Sequence, residues 1–481
     1  MSFNSFNFWL VYPLIFGIYW LIPPKFNQWR KIFLVLTSYI LYMNWKPAFA
    51  LILLGVTLVT YIGGLFLEQT YKSEENKSYH KTKYKRILFY LFVFLGGLPL
   101  LVFKYYSFIN DNILAFLKAI GLKFSLPGLN AAIPVGISFF TFQAVGYLLD
   151  VYHGRANTER NLLDYVLFVA FFPQLLAGPI STSEILMPQI KTVHSFDYKQ
   201  GRQGLKYLLW GMFIKLVIAD RLGMFVDLVY ANYRDYIGGT CVLAIIFYSI
   251  QIYCDFSGYS LMAIGIARTL GFNLPDNFCR PYLAVSITDF WHRWHITLTR
   301  WLTRHVYIPL GGSHCSKLRT YCNIFITFLV SGIWHGANWT FIMWGCIHGV
   351  LQIIEKALGM QKYAGRNSIV KICRILLTYM LVSLAWVFFR MPDIGSSFDL
   401  LKHICLHPGM PNLFIMGGAD ILMAGTGVII LIFKELKDEF FISRFAFLHY
   451  GPIRWAIYVI LFCMIINFGV LDGGQFIYVG F

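Results

Sequence analysis

The sequence predicts an all-α, polytopic integral membrane protein, and three observations predict it. Of its 481 residues 58% are hydrophobic and only 13% charged, a balance that soluble multidomain chains do not have. Apolar stretches close to spanning length recur from end to end. The net charge of +17 is spread over short Lys- and Arg-rich loops between those stretches, which marks positive-inside loops rather than a nucleic-acid surface.

One crossing of a roughly 30 Å hydrocarbon core takes about 20 apolar residues. Candidates are Phe8–Ile22, Ile32–Trp45, Ala48–Phe66, Ile87–Phe103, Ala131–Leu149, Leu162–Ala177, Leu205–Val229, Val242–Tyr253, Ile324–Leu358, Ile369–Phe389, Ile421–Phe433 and Ile453–Val470. They give about eleven to thirteen membrane elements, some too short to cross fully and some broken or re-entrant around a central chamber. No stretch is polar enough to be a separate soluble domain, so residues 1–481 read as one membrane domain, with N-terminal spans in 1–103, a motif-rich core in 104–358 and C-terminal spans in 359–481. Phe8–Ile22 lacks a basic leading region and a small-residue cleavage site, and reads as a retained first span. Lys25, Arg30 and Lys31 follow the first span and Lys72–Arg86 the third, which puts both on the cytoplasmic side and the N-terminus outside. The nine cysteines show no C-x-x-C pair and indicate neither a disulfide framework nor a zinc knuckle.

Residues 1–130 read as scaffold, ending in a Pro127-Gly128 turn. Ser138, Thr141 and Gln143 then place polar groups in an apolar helix, and Phe172-Pro173-Gln174 with Gly178-Pro179 breaks the next one. Such features make kinks and interhelical hydrogen bonds, or line a path. Asp255 ends an apolar run; a buried carboxylate must be paired or neutralised, either to orient a catalytic group or in a structural pair with a residue such as Arg268 or Arg280.

Ser286–Arg304 has the clearest helical period. At 100° per residue Ile287, Phe290, Trp291, Trp294, Leu298, Trp301 and Leu302 fall within an arc of about 120°, and Arg293, Arg300 and Arg304 within about 40° on the far side. This predicts an amphipathic helix on the membrane surface, with tryptophans down and an arginine stripe toward water or phosphates. Six of the twelve histidines (His292, His295, His305, His314, His335, His348) lie in this part of the chain. His292 and His295 stand at i, i+3, but apart from Asp289 nothing completes metal-ligand spacing, and no metal is expected.

The chain is organised around Trp334-His335-Gly336-Ala337-Asn338-Trp339. Tyr321–Leu358 is about twice one crossing and must turn back, and Gly336-Ala337-Asn338 is the natural break, tolerated at membrane depth only where protein or a cavity covers the freed backbone. His335 therefore reads either as a packing histidine or as a functional group beside an internal cavity, since imidazole is the usual base near neutral pH.

Phe256-Ser-Gly-Tyr-Ser260, Asn277-Phe-Cys-Arg-Pro-Tyr282, Asp289-Phe-Trp-His-Arg-Trp-His295, Tyr307-Ile-Pro-Leu-Gly-Gly312, Trp334–Trp339 and Trp344-Gly-Cys-Ile-His-Gly349 together resemble the membrane-bound O-acyltransferase family. The resemblance is strongest to its bacterial branch of alginate O-acetylation and teichoic acid D-alanylation membrane proteins. Pro134–Gln143, Phe172-Pro-Gln, Ala177-Gly-Pro179, Trp210-Gly through Lys215 and Ala219-Asp-Arg221 extend it, while Leu261 and Arg304-His305-Val306 depart from it. The resemblance implies that His335 is the catalytic histidine and that His295 lines the same chamber, with His348 a further histidine of this branch and Asp255, Asn338 and Trp334 in support. It also implies a cytoplasmic acyl thioester donor, presumed to be acetyl-CoA, no bound cofactor, and as partners membrane lipids and an exported polysaccharide or a periplasmic acyltransferase. The stripe Arg293/Arg300/Arg304 would dock the donor's phosphates. A transporter or flippase for a lipid or polysaccharide precursor is the alternative, since intramembrane histidines and broken helices also mark carriers; the absence of internal repeats and the arginine stripe weigh against it.

The loop assignment predicts that Lys72–Arg86 and Lys356–Arg374 face the cytoplasm. A cysteine introduced by Lys77→Cys is expected to escape an impermeant thiol reagent on intact cells; labelling from outside would reject the topology.

Overall fold

The computed structural model describes residues 3, 5–72, 79–122, 124, 125, 127, 128, 132–362, 367–440 and 450–470. The centre of the basic loop at 73–78, the segment 363–366 and part of the turn around Pro127 lie outside them. The described residues form helices and loops and no strand. They fall into two compact units, one of Asn7–Gly204 with Ala263–Pro275, the other of Phe3–Phe6, Leu205–Met262 and Asp276–Phe481.

In the first unit α1 (Phe6–Leu21) and α2 (Asn27–Met43) are followed by α3 (Pro47–Lys72), α4 (Tyr79–Leu100), α5 (Tyr106–Ala119), α6 (Ile137–Tyr152), α7 (Leu162–Ala170), α8 (Phe172–Leu175) and α9 (Ser183–Lys191). A π-helical turn at Leu101–Tyr105 joins α4 to α5, so the expected boundary at 103/104 falls inside one continuous helical stretch, Lys83–Ala119. Small residues let α3 meet its neighbours: a Cβ on Gly63 would stand 2.8 Å from the Phe92 ring, and one on Gly64 2.8 Å from the Tyr147 hydroxyl.

Two expectations change here. Chain direction turns by 103° between α1 and the helix beginning at Pro24, so Phe8–Ile22 and Ile32–Trp45 are two arms of a bent pair. Arg30 and Lys31 are not loop charges either. They are buried within α2, Arg30 donating to the carbonyls of Ile22 at 2.8 Å and His194 at 2.6 Å and Lys31 paired with Asp164 at 2.6 Å. Composition counts such lysines and arginines with the loop charges; only tertiary partners separate them. The polar residues of α6 and α8 are interhelical: Gln143 donates to the Phe168 carbonyl at 2.6 Å and accepts from Gln174 at 3.0 Å.

The chain continues through α10 (Tyr198–Met212), a π-helical stretch at Phe213–Ala219, α11 (Asp220–Ala231), α12 (Gly238–Thr269), α13 (Ile287–Arg293), α14 (Ile296–Leu302), α15 (Lys317–His335), α16 (Trp339–Ala357), α17 (Ser368–Arg390), α18 (Ile394–Leu406), α19 (Gly418–Phe440) and α20 (Gly451–Phe468). Among the described residues five helices are long and apolar enough to cross a membrane, Pro47–Glu68, Lys83–Ala119, Gly238–Thr269, Ser368–Arg390 and Gly451–Phe468, and the bent pair adds one if it spans as a unit. The eleven to thirteen elements read from hydropathy exceed that number, because several apolar stretches are cut by turns or belong to short interior helices. Gly211 and Gly258 bring α10 and α12 into backbone contact, a Cβ on Gly211 falling 2.7 Å from the Gly258 carbonyl.

Beside that contact lies a buried charge cluster. Lys215 pairs with Asp220 at 2.6 Å and with Asp255, and the three side chains are 1–6% exposed. Asp255 is thus in a structural pair, with Lys215 as its cation; Arg268 binds Gln203 and Arg280 binds Glu439. Lys215→Met leaves two buried carboxylates without a counter-charge, which costs about 3–5 kcal/mol. Yield of monodisperse protein is expected to collapse in this variant and to recover substantially in Lys215→Met/Asp220→Asn/Asp255→Asn; no recovery would mean that the cluster's charges do not govern stability.

Candidate active site

Ser316 caps α15 by accepting from Arg319 N, and Asn338 caps α16 by accepting from Thr340 N at 3.1 Å. Between them the chain reverses at Gly336-Ala337, where the sequence placed the break. The two helices press together through glycine. A Cβ on Gly345 would lie 2.5 Å from the Phe328 carbonyl, and one on Gly332 would collide with the carbonyl of Phe341. Gly336 is extended, with a Cβ there driven into the Phe341 ring. His335 is the last residue of α15, at the mouth of the break and 2% exposed.

Around it stands a shell of rings. His335 lies edge-on to Trp334 and Trp344 at 4.9 Å each and to Phe389 at 5.2 Å. Trp334 is also 5.8 Å from the His295 ring, and Trp344 4.9 Å from that of His348. Two indoles therefore link three buried imidazoles in the order His295, Trp334, His335, Trp344, His348. Trp386 and Phe389 of α17 close the shell, Trp386 stacking on Trp344 at 5.6 Å. The Nε1–H groups of Trp294 and Trp344 and Nε2 of His348 have no hydrogen-bond partner among the described residues, so these buried groups are open to a bound molecule.

The structure replaces the expected surface helix. Ser286–Arg304 is two short helices, α13 and α14, followed by a π-helical turn at Thr303–Tyr307, and the break is at Trp294-His295, where His295 takes a left-handed conformation with φ 42°. A single 100° period cannot detect such a break. Trp291 and Trp294 are buried in the protein rather than in a membrane interface; Trp294 stacks on Phe290 at 5.5 Å and meets Trp386 at 5.0 Å. Nor is the arginine stripe uniform. Arg293 is held by Asp289 at 2.8 Å and by Glu439 at 3.0 Å, whereas Arg300 is exposed. Asn338 caps α16 and donates to the Pro392 carbonyl at 2.8 Å; Asp255 is held in the Lys215 cluster.

A cavity of about 290 Å³ opens beside the shell, lined among others by Thr288, Trp291, His292, Thr299, Thr303, Tyr307, Gln352 and Lys356. His335 is not among its lining residues, but Trp291 and Ser331 are. Trp291 touches the His348 ring at 5.1 Å, and Ser331 lies one helical turn before His335 on α15. The cavity and the histidine shell thus share a wall. Sequence reasoning singled out the three histidines and Trp334, and the structure brings them together. It passed over Trp344, Trp386, Phe389 and Lys356, all of which read as ordinary core or loop residues; Trp344 does begin a quoted motif, which was the available signal. Asn277, also inside a quoted motif, contacts His295 directly.

The sequence profile of the membrane-bound O-acyltransferase family (MBOAT) matches residues 8–361. The chain is 37% identical over 395 residues to a probable alginate O-acetylase of Pseudomonas syringae pv. tomato, covering 82% of this chain and 72% of the relative. To a peptidoglycan O-acetyltransferase of Helicobacter pylori it is 35% identical over 398 residues, 77% of this chain and 73% of the relative. A teichoic acid D-alanyltransferase of Streptococcus thermophilus is 29% identical over 296 residues, 58% of this chain and 67% of the relative. A shell of buried histidines beside a cavity, in a chain that the family profile matches over most of its length, leaves one conclusion: this multi-pass membrane protein belongs to the membrane-bound O-acyltransferase family and is an O-acyltransferase.

Proposed function

We propose that the protein moves an acetyl group from a cytoplasmic thioester, acetyl-CoA or another acyl thioester, across the membrane to a hydroxyl of an exported or cell-surface polysaccharide, directly or through a periplasmic acyltransferase. The observation that carries the reading is His335, a buried imidazole at the helix break, flanked by two further buried histidines. The acetyl assignment is supported by relatives named as O-acetylases, which match more of the chain than the D-alanyltransferase does. The reading places the enzyme in the bacterial inner membrane; its N-terminus is outside when the bent α1–α2 pair does not cross as a unit and α3 alone separates it from a cytoplasmic Lys72–Arg86.

His335 removes the proton of the acceptor hydroxyl as its oxygen attacks the thioester carbonyl. A C–O bond forms, the tetrahedral oxyanion collapses, the C–S bond breaks, and the imidazolium returns the proton to the leaving sulfur. The aromatic walls keep bulk water from the thioester, which it would hydrolyse. Buried N–H groups such as Trp344 Nε1–H are fit to meet the oxyanion, a role in which one well-placed donor is worth about 2.7–4 kcal/mol.

His335→Ala is expected to lose at least about two orders of magnitude in transfer rate while still inserting and folding, and His335→Asn to be nearly as inactive, since an amide cannot take the proton at neutral pH. Thioester consumption and acetyl transfer measured separately on purified variants test this. An Asn variant with near wild-type transfer would remove His335 as the base.

The donor's phosphates dock at the cavity, where Thr299, Thr303 and Lys356 line the wall and Arg300, next to Thr299 on α14, is exposed. Arg293, occupied by two carboxylates, positions α13 instead. Arg300→Ala is expected to raise the KM for acetyl-CoA more than it lowers kcat; a pure kcat defect would contradict phosphate docking.

A further inference from the structure

Asn277 and Thr297 settle which nitrogen of His295 carries its proton. The Asn277 side chain, 1% exposed, places one atom 3.2 Å from the backbone nitrogen of Thr297, 2.9 Å from the Thr297 hydroxyl and 3.2 Å from Nδ1 of His295. A backbone N–H can only donate, so that atom is the amide oxygen and the flip of Asn277 is fixed. Facing an oxygen that only accepts, Nδ1 of His295 must be the protonated nitrogen, and Nε2 holds the lone pair. The backbone makes this arrangement rigid. His295 is one of only two described non-glycine residues with positive φ, and the Ile296 N–H is bound to the Asn277 carbonyl at 2.9 Å. A strained conformation of this kind persists only where its surroundings over-determine it, and it marks functional sites.

We propose that Asn277 is a positioning residue that fixes His295 in the Nδ1–H form, so that His295 Nε2 meets the reacting complex as a hydrogen-bond acceptor for a hydroxyl of the polysaccharide and not as a donor to the oxyanion. The proposal rests on the acetyl-transfer reading above. In it His335 takes the proton of the reacting hydroxyl, and His295 holds the sugar by another, since a polyol presents several. The oxyanion is left to other donors, Trp344 Nε1–H among them.

The neutral state needed for this is favoured by the surroundings. Phe256, Phe278 and Trp334 face the His295 ring at 4.7, 6.5 and 5.8 Å. Of the charged residues near these elements, Asp255 is held by Lys215, Arg293 by Asp289 and Glu439, and Arg280 by Glu439, while Asp276 is exposed. His295 lies between α13 and α14, outside the five spanning helices, and burial pushes its pKa down to about 3.

Asn277→Asp keeps the acceptor oxygen for Thr297 but sets a carboxylate against Nδ1–H, which favours the imidazolium and raises the His295 pKa by about one unit or more. The acceptor lone pair is then lost as pH falls through a higher value. With acetyl-CoA as donor and an alginate oligosaccharide as the probe acceptor, the acid limb of kcat/KM for the oligosaccharide is expected to move up by about one pH unit or more, with the KM for acetyl-CoA unchanged. Asn277→Leu, which releases the ring, is expected to raise the oligosaccharide KM at least about tenfold. An Asn277→Asp enzyme whose pH profile superimposes on the wild type would reduce Asn277 to scaffold and overturn the proposal. Because either variant could fold poorly, histidine-selective 15N labelling of the wild type in detergent, with the His295 signals identified by their loss in His295→Ala, reads the tautomer directly; a proton found on Nε2 would overturn it equally. Should the wild type transfer no acetyl group to any hydroxyl, the function reading fails, and the 15N experiment still decides the tautomer.

Discussion

The site depends on how closely α15 and α16 approach. Gly332 and Gly345 remove the side chains that would otherwise hold the two backbones apart, and a Cβ on Gly345 would stand 3.2 Å from the Gly332 Cα. In lipid, where no hydrophobic force drives helix against helix, small residues of this kind are what allow the van der Waals contact that does. His335 ends one helix and His348 sits nine residues into the other, so the glycine contact fixes their separation and hence the position of the Trp344 ring between them. A methyl group at either glycine alters the site without touching a histidine.

Packing and chemistry share the same atoms here. The aromatic shell excludes water and lowers the local dielectric, which strengthens every hydrogen bond made to a developing charge. It also makes each unsatisfied polar atom costly. Among the described residues the Nε1–H groups of Trp294 and Trp344 and Nε2 of His348 nevertheless lack a hydrogen-bond partner inside the shell, a cost that the proposed arrival of a carbonyl or hydroxyl there would offset.

Much of this was legible in the residues. The turn at Gly336–Asn338 followed from length alone, since Tyr321–Leu358 could not cross once and stop. The interior position of His335 at the break followed from an imidazole in an apolar run, and the quoted motifs located His295 and His348. Three things were not legible. Periodicity over Ser286–Arg304 described two helices as one, because both keep the same buried face and the break occupies a single left-handed residue. Arg30 and Lys31 read as loop charges because their partners, His194 and Asp164, lie more than a hundred residues away in sequence. The partner of Asp255 was missed for a related reason: Lys215 stands forty residues upstream in a stretch that hydropathy treats as an ordinary apolar run.

That last pair bears on how α12 is held in lipid. A segment with an unpaired carboxylate in its apolar interior enters a bilayer at a cost of several kcal/mol, and the same holds for one with a lysine. Lys215 and Asp255, joined by a connection that holds only α11 and one short turn, cancel each other's penalty when they meet. The cluster thus lowers the cost of holding α12, a spanning helix with a carboxylate in its interior, in an apolar medium, and makes that helix depend on the Phe213–Ala219 stretch for its counter-charge.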